Sequence, residues 1–186
     1  MTNRSRADAA AAARQFAGQS GAEGVAPLLP SAELRQRLEK GEEIVLVDVR
    51  CAEEQQVSMM PGAVTKEHFE SQVLPKLRQE PKGRLVVPYC TAGFRSGIYA
   101  KELVKYGLNV RNGEGVVMWT FDGNGLVRPS ETSLVKEVHV FGKPWDMAAE
   151  GYSTVYFSHV GGALRFLKQK CDCLDSCLLG CFTSRA

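Results

Sequence analysis

An apolar run that leads into a compact loop, followed by a helical pattern, constrains the fold of this chain more than any other feature. Leu85, Val86 and Val87 precede the stretch Tyr-Cys-Thr-Ala-Gly-Phe-Arg-Ser-Gly at positions 89–97. A parallel strand that ends in a tight turn and opens a helix directs backbone N–H groups and the positive end of the helix dipole at that turn. Because Cys90 occupies the turn, we expect this junction to carry chemistry.

The surrounding pattern favours an α/β fold. Residues 44–47 form a second continuous apolar run, which is typical of a strand buried on both faces of a parallel sheet. Ser31 is a predicted N-cap of a helix that ends at Gly41. Apolar positions spaced along residues 96–106 predict a further helix directly after the loop.

Cys90 is a candidate nucleophile because its setting favours the thiolate. Helix N-termini and nearby arginines stabilise a thiolate, and Arg95 follows five residues on. Gly93 lets the backbone curl, so that N–H groups converge on the sulfur or on an anion attached to it. The alternative is a buried structural cysteine. The glycine and arginine at fixed offsets from Cys90 favour the nucleophile.

The loop resembles that of a known family. Residues 90–96, Cys-Thr-Ala-Gly-Phe-Arg-Ser, are similar to the active loop of the rhodanese-like sulfurtransferases, Cys-x-x-Gly-x-Arg followed by Ser. Further matches are Val-Asp-Val-Arg at 47–50, Pro-Gly-Ala at 61–63, and Trp119 after Gly115. The resemblance covers residues 30 to 150. Related phosphatases and arsenate reductases have a longer loop, with five residues where this chain has four, so we set that function aside.

The resemblance implies a small parallel β-sheet flanked by helices on both faces, and a sulfurtransferase activity. Cys90 would attack a small-molecule sulfane-sulfur donor, become a persulfide, and pass the sulfur to a thiol, a protein cysteine or cyanide. Arg95 would offset negative charge. The substrate-binding residues would be Thr91, Ala92, Gly93, Phe94 and Ser96. No cofactor and no metal are expected.

Two further expectations qualify this function. Phe94 stands where a cationic side chain would favour thiosulfate, so thiosulfate is not expected to be the natural donor. The second hypothesis is a non-catalytic rhodanese-like module that binds a partner protein. Cys90, with its glycine and arginine intact, argues against that hypothesis.

Composition and charge indicate three regions and exclude some partners. Residues 1–30 are rich in Ala and Arg and predict a flexible or targeting segment, residues 31–160 the rhodanese-like domain, and residues 161–186 a Cys-rich tail. A net charge of +2 gives no electrostatic case for nucleic acid. No apolar stretch approaches the length of a transmembrane helix.

The tail carries four of the chain's six cysteines, namely Cys171, Cys173, Cys177 and Cys181. Three interpretations stay open: a zinc site, for which paired Cys-x-x-Cys spacing is absent, an acylated membrane anchor, and reduced thiols of no specific function. Six cysteines without a secretory signal indicate an intracellular reducing compartment. We expect the cytoplasm, with import into an organelle through residues 1–30 as the alternative.

Five other residues receive provisional interpretations. Asp48 and Arg50 follow a predicted strand and are interpreted as a brace rather than as ligands. Cys51 is interpreted as a bystander thiol rather than a partner for Cys90. Glu114 replaces a glycine that is usual in the family and is expected to alter a turn. His139 is placed on the polar face of a short strand.

Overall fold

A computed structural model describes residues 5–80, 83–122, 125–129 and 133–157. The helices are α1 Arg6–Gly18, α2 Ser31–Glu39, α3 Ala52–Val57, α4 Lys66–His68, α5 Leu74–Leu77, α6 Phe94–Lys105 and α7 Val116–Phe121. A π-type turn, Phe69–Val73, joins α4 to α5, and a 3₁₀ turn spans Lys143–Trp145. The strands are β1 Leu28–Leu29, β2 Ile44–Asp48, β3 Val64–Thr65, β4 Leu85–Tyr89, β5 Asn112–Gly113, β6 Leu126–Val127, β7 Leu134–Val135, β8 Glu137–His139 and β9 Ser153–Val155.

A three-stranded parallel sheet in the order β3-β2-β4 holds the site. The two predicted apolar runs are its two long strands, and they pair along their whole length, from Ile44 opposite Leu85 to Asp48 opposite Tyr89. Parallel pairing brings the carboxyl ends of both strands to the same edge of the sheet. The residues that follow β2 and β4 therefore meet at that edge.

Helices cover both faces of this sheet. Alternate residues of a strand point to opposite faces, so Leu85 and Val87 enter one core while Val86 enters another. The first core contains residues of α1, α2 and α7, and the second contains residues of α6 and the π-type turn. The predicted α/β class, with a parallel sheet flanked by helices on both faces, is confirmed.

The N-terminal segment differs from the flexible region that the sequence predicted. Ser5 caps α1 by accepting a hydrogen bond from the Asp8 N–H at 3.2 Å, and four alanines of the helix are buried: Ala9, Ala10, Ala13 and Ala17. Small side chains allow the helix to approach closely, and Ala17 lies against Gly93 of the loop. Flexibility is therefore the wrong description of residues 6–18, because their apolar stripe packs on the core. A targeting role for residues 1–30 stays a proposal.

The start of α2 also differs from its prediction. Ser31 is the first helical residue rather than the N-cap, and the N-cap position belongs to Pro30, which has no side-chain hydrogen bond. The buried carboxylate of Glu114 accepts the Ser31 N–H at 2.9 Å. Burial raises the pKa of Glu114, against the effect of the Ser31 hydrogen bond. Glu114 thus caps α2, which is distant in the sequence. It does so from the turn that its departure from the family pattern was expected to alter.

The chain divides into two units, 1–155 and 156–186. The boundaries predicted for the rhodanese-like domain, residues 31–160, stay a proposal. Within the described ranges, none of the helices has the length and apolar character needed to cross a membrane.

Candidate active site

Cys90 lies directly after β4, in the loop that opens α6. Its side chain is 2% exposed. Gly93 is the N-cap of α6 and adopts φ 83°, a left-handed conformation that costs glycine little. The buried Ser96 hydroxyl, in the first turn of α6, donates to Cys90 Sγ at 3.5 Å. The strand, the loop and the helix thus hold the thiol at the N-terminal end of α6.

The carbonyl groups of the loop accept hydrogen bonds from α7 and from Asn112 of β5. The Val116 N–H donates to the Cys90 carbonyl at 2.8 Å, and the Asn112 side-chain amide donates to the Gly93 carbonyl at 2.9 Å. The Val117 N–H donates to the Thr91 carbonyl at 3.3 Å. In a planar trans peptide the C=O and the following N–H point in opposite directions. The N–H groups of Thr91, Ala92 and Phe94 therefore point away from α7 and Asn112.

Gly115, just before α7, permits this close approach of α7 to the loop. Its φ of 115° favours glycine, and a Cβ there would lie 2.4 Å from the Thr91 carbonyl oxygen. Contact at that distance would displace the backbone of the loop. A side chain at position 115 is therefore incompatible with the observed loop.

Arg95 forms a buried ion pair with Glu54 of α3. Nη1 donates to Glu54 Oε2 at 2.7 Å and Nη2 to Oε1 at 2.8 Å, while Nη2 also donates to Thr91 Oγ1 at 2.9 Å. The Glu54 side chain is 0% exposed and that of Arg95 17%. The two-point contact fixes the guanidinium plane. Glu54 was missed as a functional residue by the sequence interpretation, although it lies four residues after Arg50 of the Val-Asp-Val-Arg match.

The ion pair keeps Glu54 charged despite its burial. Burial alone would raise the pKa of this carboxyl, but the Arg95 charge and hydrogen bonds, the Arg50 charge and the Cys51 N–H outweigh it and lower the pKa to about 2. Burial opposes the charged state of Arg95 as well, and Glu54 outweighs it and raises the pKa of the guanidinium. Both groups are therefore ionised at neutral pH, and the pair carries no net charge.

The lowered pKa of Glu54 predicts a loss of stability in acid. A carboxyl whose pKa falls from 4.5 to about 2 on folding contributes about 3 kcal/mol above pH 4.5, and this contribution is lost as the pH falls through 2. We expect the free energy of unfolding, measured with urea at several pH values between about 6 and about 2, to show this loss in the wild type and not in Glu54→Gln. Glu53→Gln, in the exposed neighbouring position, should keep the wild-type dependence of the free energy of unfolding on pH. The wild-type dependence in Glu54→Gln would contradict the assignment.

A second buried ion pair braces the end of β2. Arg50 donates from Nη2 to Asp48 Oδ2 at 2.7 Å and from Nε to Asp48 Oδ1 at 2.9 Å, with both side chains 0% exposed. Tyr89 donates its hydroxyl to the same Asp48 at 2.8 Å and accepts the Met60 N–H at 3.0 Å. The network joins β2, β4 and the segment before β3. These contacts fit the interpretation of Asp48 and Arg50 as a brace.

Cys51 is the N-cap of α3, the helix that carries Glu54. Its backbone N–H donates to Glu54 Oε2 at 3.2 Å. Partial burial and the Glu54 charge raise the pKa of this thiol to about 11. At neutral pH the protonated form dominates, which makes Cys51 a poor nucleophile and fits its interpretation as a bystander.

His139 and Phe141 also lie at the site, although no motif or spacing in the sequence indicated that they would. His139 was expected on a polar strand face, but it is 3% exposed, and its Nδ1 lies 3.9 Å from Glu54 Oε1. The same Nδ1 accepts the Phe141 N–H at 3.1 Å, and the Phe141 ring centroid lies 5.0 Å from Arg95 Cζ. Only the packing of β8 against α3 brings these residues to the ion pair.

The predicted site residues all lie in the loop or the first turn of α6. Those that are buried are Cys90, Thr91, Ala92, Gly93 and Ser96, whereas Phe94 and Arg95 are partly exposed. Among the described residues, no group of three or more His, Cys, Asp or Glu side chains could hold a metal ion. The four tail cysteines, Cys171, Cys173, Cys177 and Cys181, lie outside the described residues.

The chain is similar to several known proteins. The model of the rhodanese-like domain family matches residues 31–118. A sulfurtransferase from Allochromatium vinosum is 33% identical over 106 residues, which cover 54% of this chain and 94% of that protein. 

Two solved structures resemble the chain at lower identity. A thiosulfate sulfurtransferase from Pseudomonas aeruginosa has a TM-score of 0.49 and 22% identity, over 69% of this chain and 25% of that one. The polysulfide-sulfur transferase homodimer from Wolinella succinogenes has a TM-score of 0.46 and 22% identity, over 64% of this chain and 91% of that one.

Proposed function

This chain belongs to the rhodanese-like sulfurtransferase family, and from that membership we propose that it transfers a sulfane sulfur through a persulfide on Cys90. The observation that carries the proposal is the position of the thiol. Cys90 lies between the end of β4 and the N-terminus of α6, within hydrogen-bond distance of the Ser96 hydroxyl. A thiol in such a position is activated by the helix N-terminus.

The first half of the reaction loads Cys90. Its thiolate attacks the outer sulfur of a donor, the bond between the donor's two sulfurs breaks, and the inner part leaves with the electron pair. Cys90 then carries one additional sulfur. Backbone N–H groups of the loop stabilise the negative charge that develops on the transferred sulfur. Support for this role comes from the loop carbonyls, which accept hydrogen bonds from α7 and Asn112. The N–H groups of Thr91, Ala92 and Phe94 therefore point away from α7 and Asn112.

The second half unloads Cys90. An acceptor thiolate or cyanide attacks the outer sulfur of the persulfide, and Cys90 leaves as the thiolate in which it began. Arg95 is a positioning residue in this mechanism, because its hydrogen bonds go to Glu54 and to Thr91 of the loop.

Mass spectrometry of the full-length chain tests the proposal. After treatment with cysteine persulfide or thiosulfate, we expect a gain of about 32 Da, the mass of one sulfur atom, that cyanide removes. Peptide mapping should place the gain on Cys90 and not on Cys51, whose thiol is protonated at neutral pH. No gain from either donor, or a gain that maps equally to Cys51, would refute the transfer of sulfur through Cys90. A protein-binding role without catalysis would then be the better proposal.

A further inference from the structure

Phe141 has a backbone conformation that its side chain does not favour. It has φ 64°, and among the described residues it is the one non-glycine with positive φ. Such a conformation is costly for a bulky residue and persists where the surroundings determine it. Here the surroundings are His139, which accepts the Phe141 N–H, and Trp145, whose ring meets the Phe141 ring edge-on at 5.5 Å. The fold therefore directs the Phe141 ring to one place.

That place is above the guanidinium of Arg95. The ring centroid lies 5.0 Å from Arg95 Cζ, within the range of a cation–π contact. The nitrogens at the guanidinium edge donate to Glu54 and Thr91. Arg95 thus contacts a carboxylate and a hydroxyl along its edge, and an aromatic ring at its face.

The charges around the loop are balanced before any substrate arrives. Arg95 is paired with Glu54, and Arg50 with Asp48, so both guanidinium groups have a carboxylate oxygen at 2.7 Å. The loop itself adds Phe94 rather than a charged side chain. A dianion would lose hydration on entering this region, and the ion pairs would return little attraction. A donor with a single negative charge loses less hydration than a dianion on entering this region.

We propose that Phe141 determines donor specificity, so that this site takes sulfur from a small alkyl persulfide in preference to the dianion thiosulfate. The inference rests on the proposed function and names the donor class for it. Phe141 lies outside residues 31–118, the part of the chain that the family model matches.

The loading step is balanced with a persulfide donor. The Cys90 thiolate attacks the outer sulfur of RSSH, a bond forms between Cys90 Sγ and that sulfur, and the S–S bond of the donor breaks. RS⁻ leaves with the bonding electron pair and takes up the proton of the transferred sulfur, so Cys90 carries the persulfide anion that the loop N–H groups stabilise. Neither an external oxidant nor a reductant is required. With thiosulfate the leaving group is instead sulfite, a dianion.

Single-turnover persulfidation of the full-length chain tests the inference, with cysteine persulfide and thiosulfate as alternative donors and intact mass as the readout. We expect the wild type to react about 100-fold faster with cysteine persulfide. Phe141→Gly removes the ring and suits the left-handed backbone, and it should reduce this preference about tenfold. Phe141→Lys places an unpaired cation there, and it should reduce the preference as much and make the thiosulfate rate fall with added salt.

Tyr106→Leu is the matched control. It removes another cation–π contact, in which Arg78 Cζ lies 4.6 Å from an exposed Tyr106 ring, and it should leave the donor preference unchanged. A purely structural role of Phe141 would slow both donors by the same factor. That result, or equal rates for the two donors in the wild type, overturns the specificity inference while the proposed function stands. If neither donor modifies Cys90, both the inference and the proposed function are wrong.

Discussion

Replacement of Cys90 by serine is expected to reduce sulfur transfer at least about a thousandfold, to the rate of the uncatalysed reaction. A serine hydroxyl is protonated at neutral pH and forms no persulfide, so the covalent intermediate disappears. Serine has nearly the same shape as cysteine, so the fold should persist. The measurement is steady-state formation of thiocyanate from cyanide with cysteine persulfide as donor.

The matched control for this variant is Cys51→Ser. Serine is a good N-cap, so α3 should keep its start, and transfer should stay within about twofold of the wild type. Activity in Cys90→Ser above the uncatalysed rate would show that another group carries the sulfur. A large loss in Cys51→Ser would instead show that Cys51 takes part in the reaction.

Replacement of Arg95 by alanine is expected to have two effects, one on rate and one on stability. Sulfur transfer should fall by a factor of about 10 to 1000, because the guanidinium holds the loop through Thr91 Oγ1. The free energy of unfolding should also fall by about 3–5 kcal/mol, because Glu54 would be left as a buried, unpaired charge. Single-turnover persulfidation and urea unfolding measure the two effects separately.

Two companion variants separate these effects. Glu54→Gln combined with Arg95→Met removes both charges, so it should recover much of the stability without recovering the rate. Arg95→Lys should recover the rate only in part, since lysine keeps the charge but cannot contact both Glu54 oxygens and Thr91 in one plane. A change in stability below about 1 kcal/mol in Arg95→Ala would show that the ion pair is not buried in solution.

The role of Arg95 shows how far a motif can be interpreted without a fold. The loop sequence placed Arg95 beside Cys90, and from this we expected its charge to act on the substrate. The structure pairs that charge with Glu54, which lies 41 residues earlier in the chain. The sequence interpretation gave Glu54 no role and could not predict this contact, because the contact depends on α3 following β2 at the same sheet edge as the loop.

The sequence by itself determined the elements whose signals are local. The continuous apolar runs at 44–47 and 85–87 predicted the paired strands β2 and β4, because a strand buried on both faces accepts apolar residues at successive positions. Gly93 at its offset from Cys90 predicted a tight curl of the backbone before α6, because the conformational freedom of glycine is a property of a single residue; the structure gives Gly93 a left-handed conformation there.

Only the tertiary structure decided which distant segments complete the site. The alanine stripe of α1 indicated nothing about Gly93, Glu114 was not recognisable as the cap of α2, and His139 and Phe141 carried no signal toward Arg95. Each of these contacts joins residues that are far apart along the chain. Their energies depend on burial and on the exact partner, which a periodicity or a motif does not encode, so they are determined only when the sheet and its helices have packed.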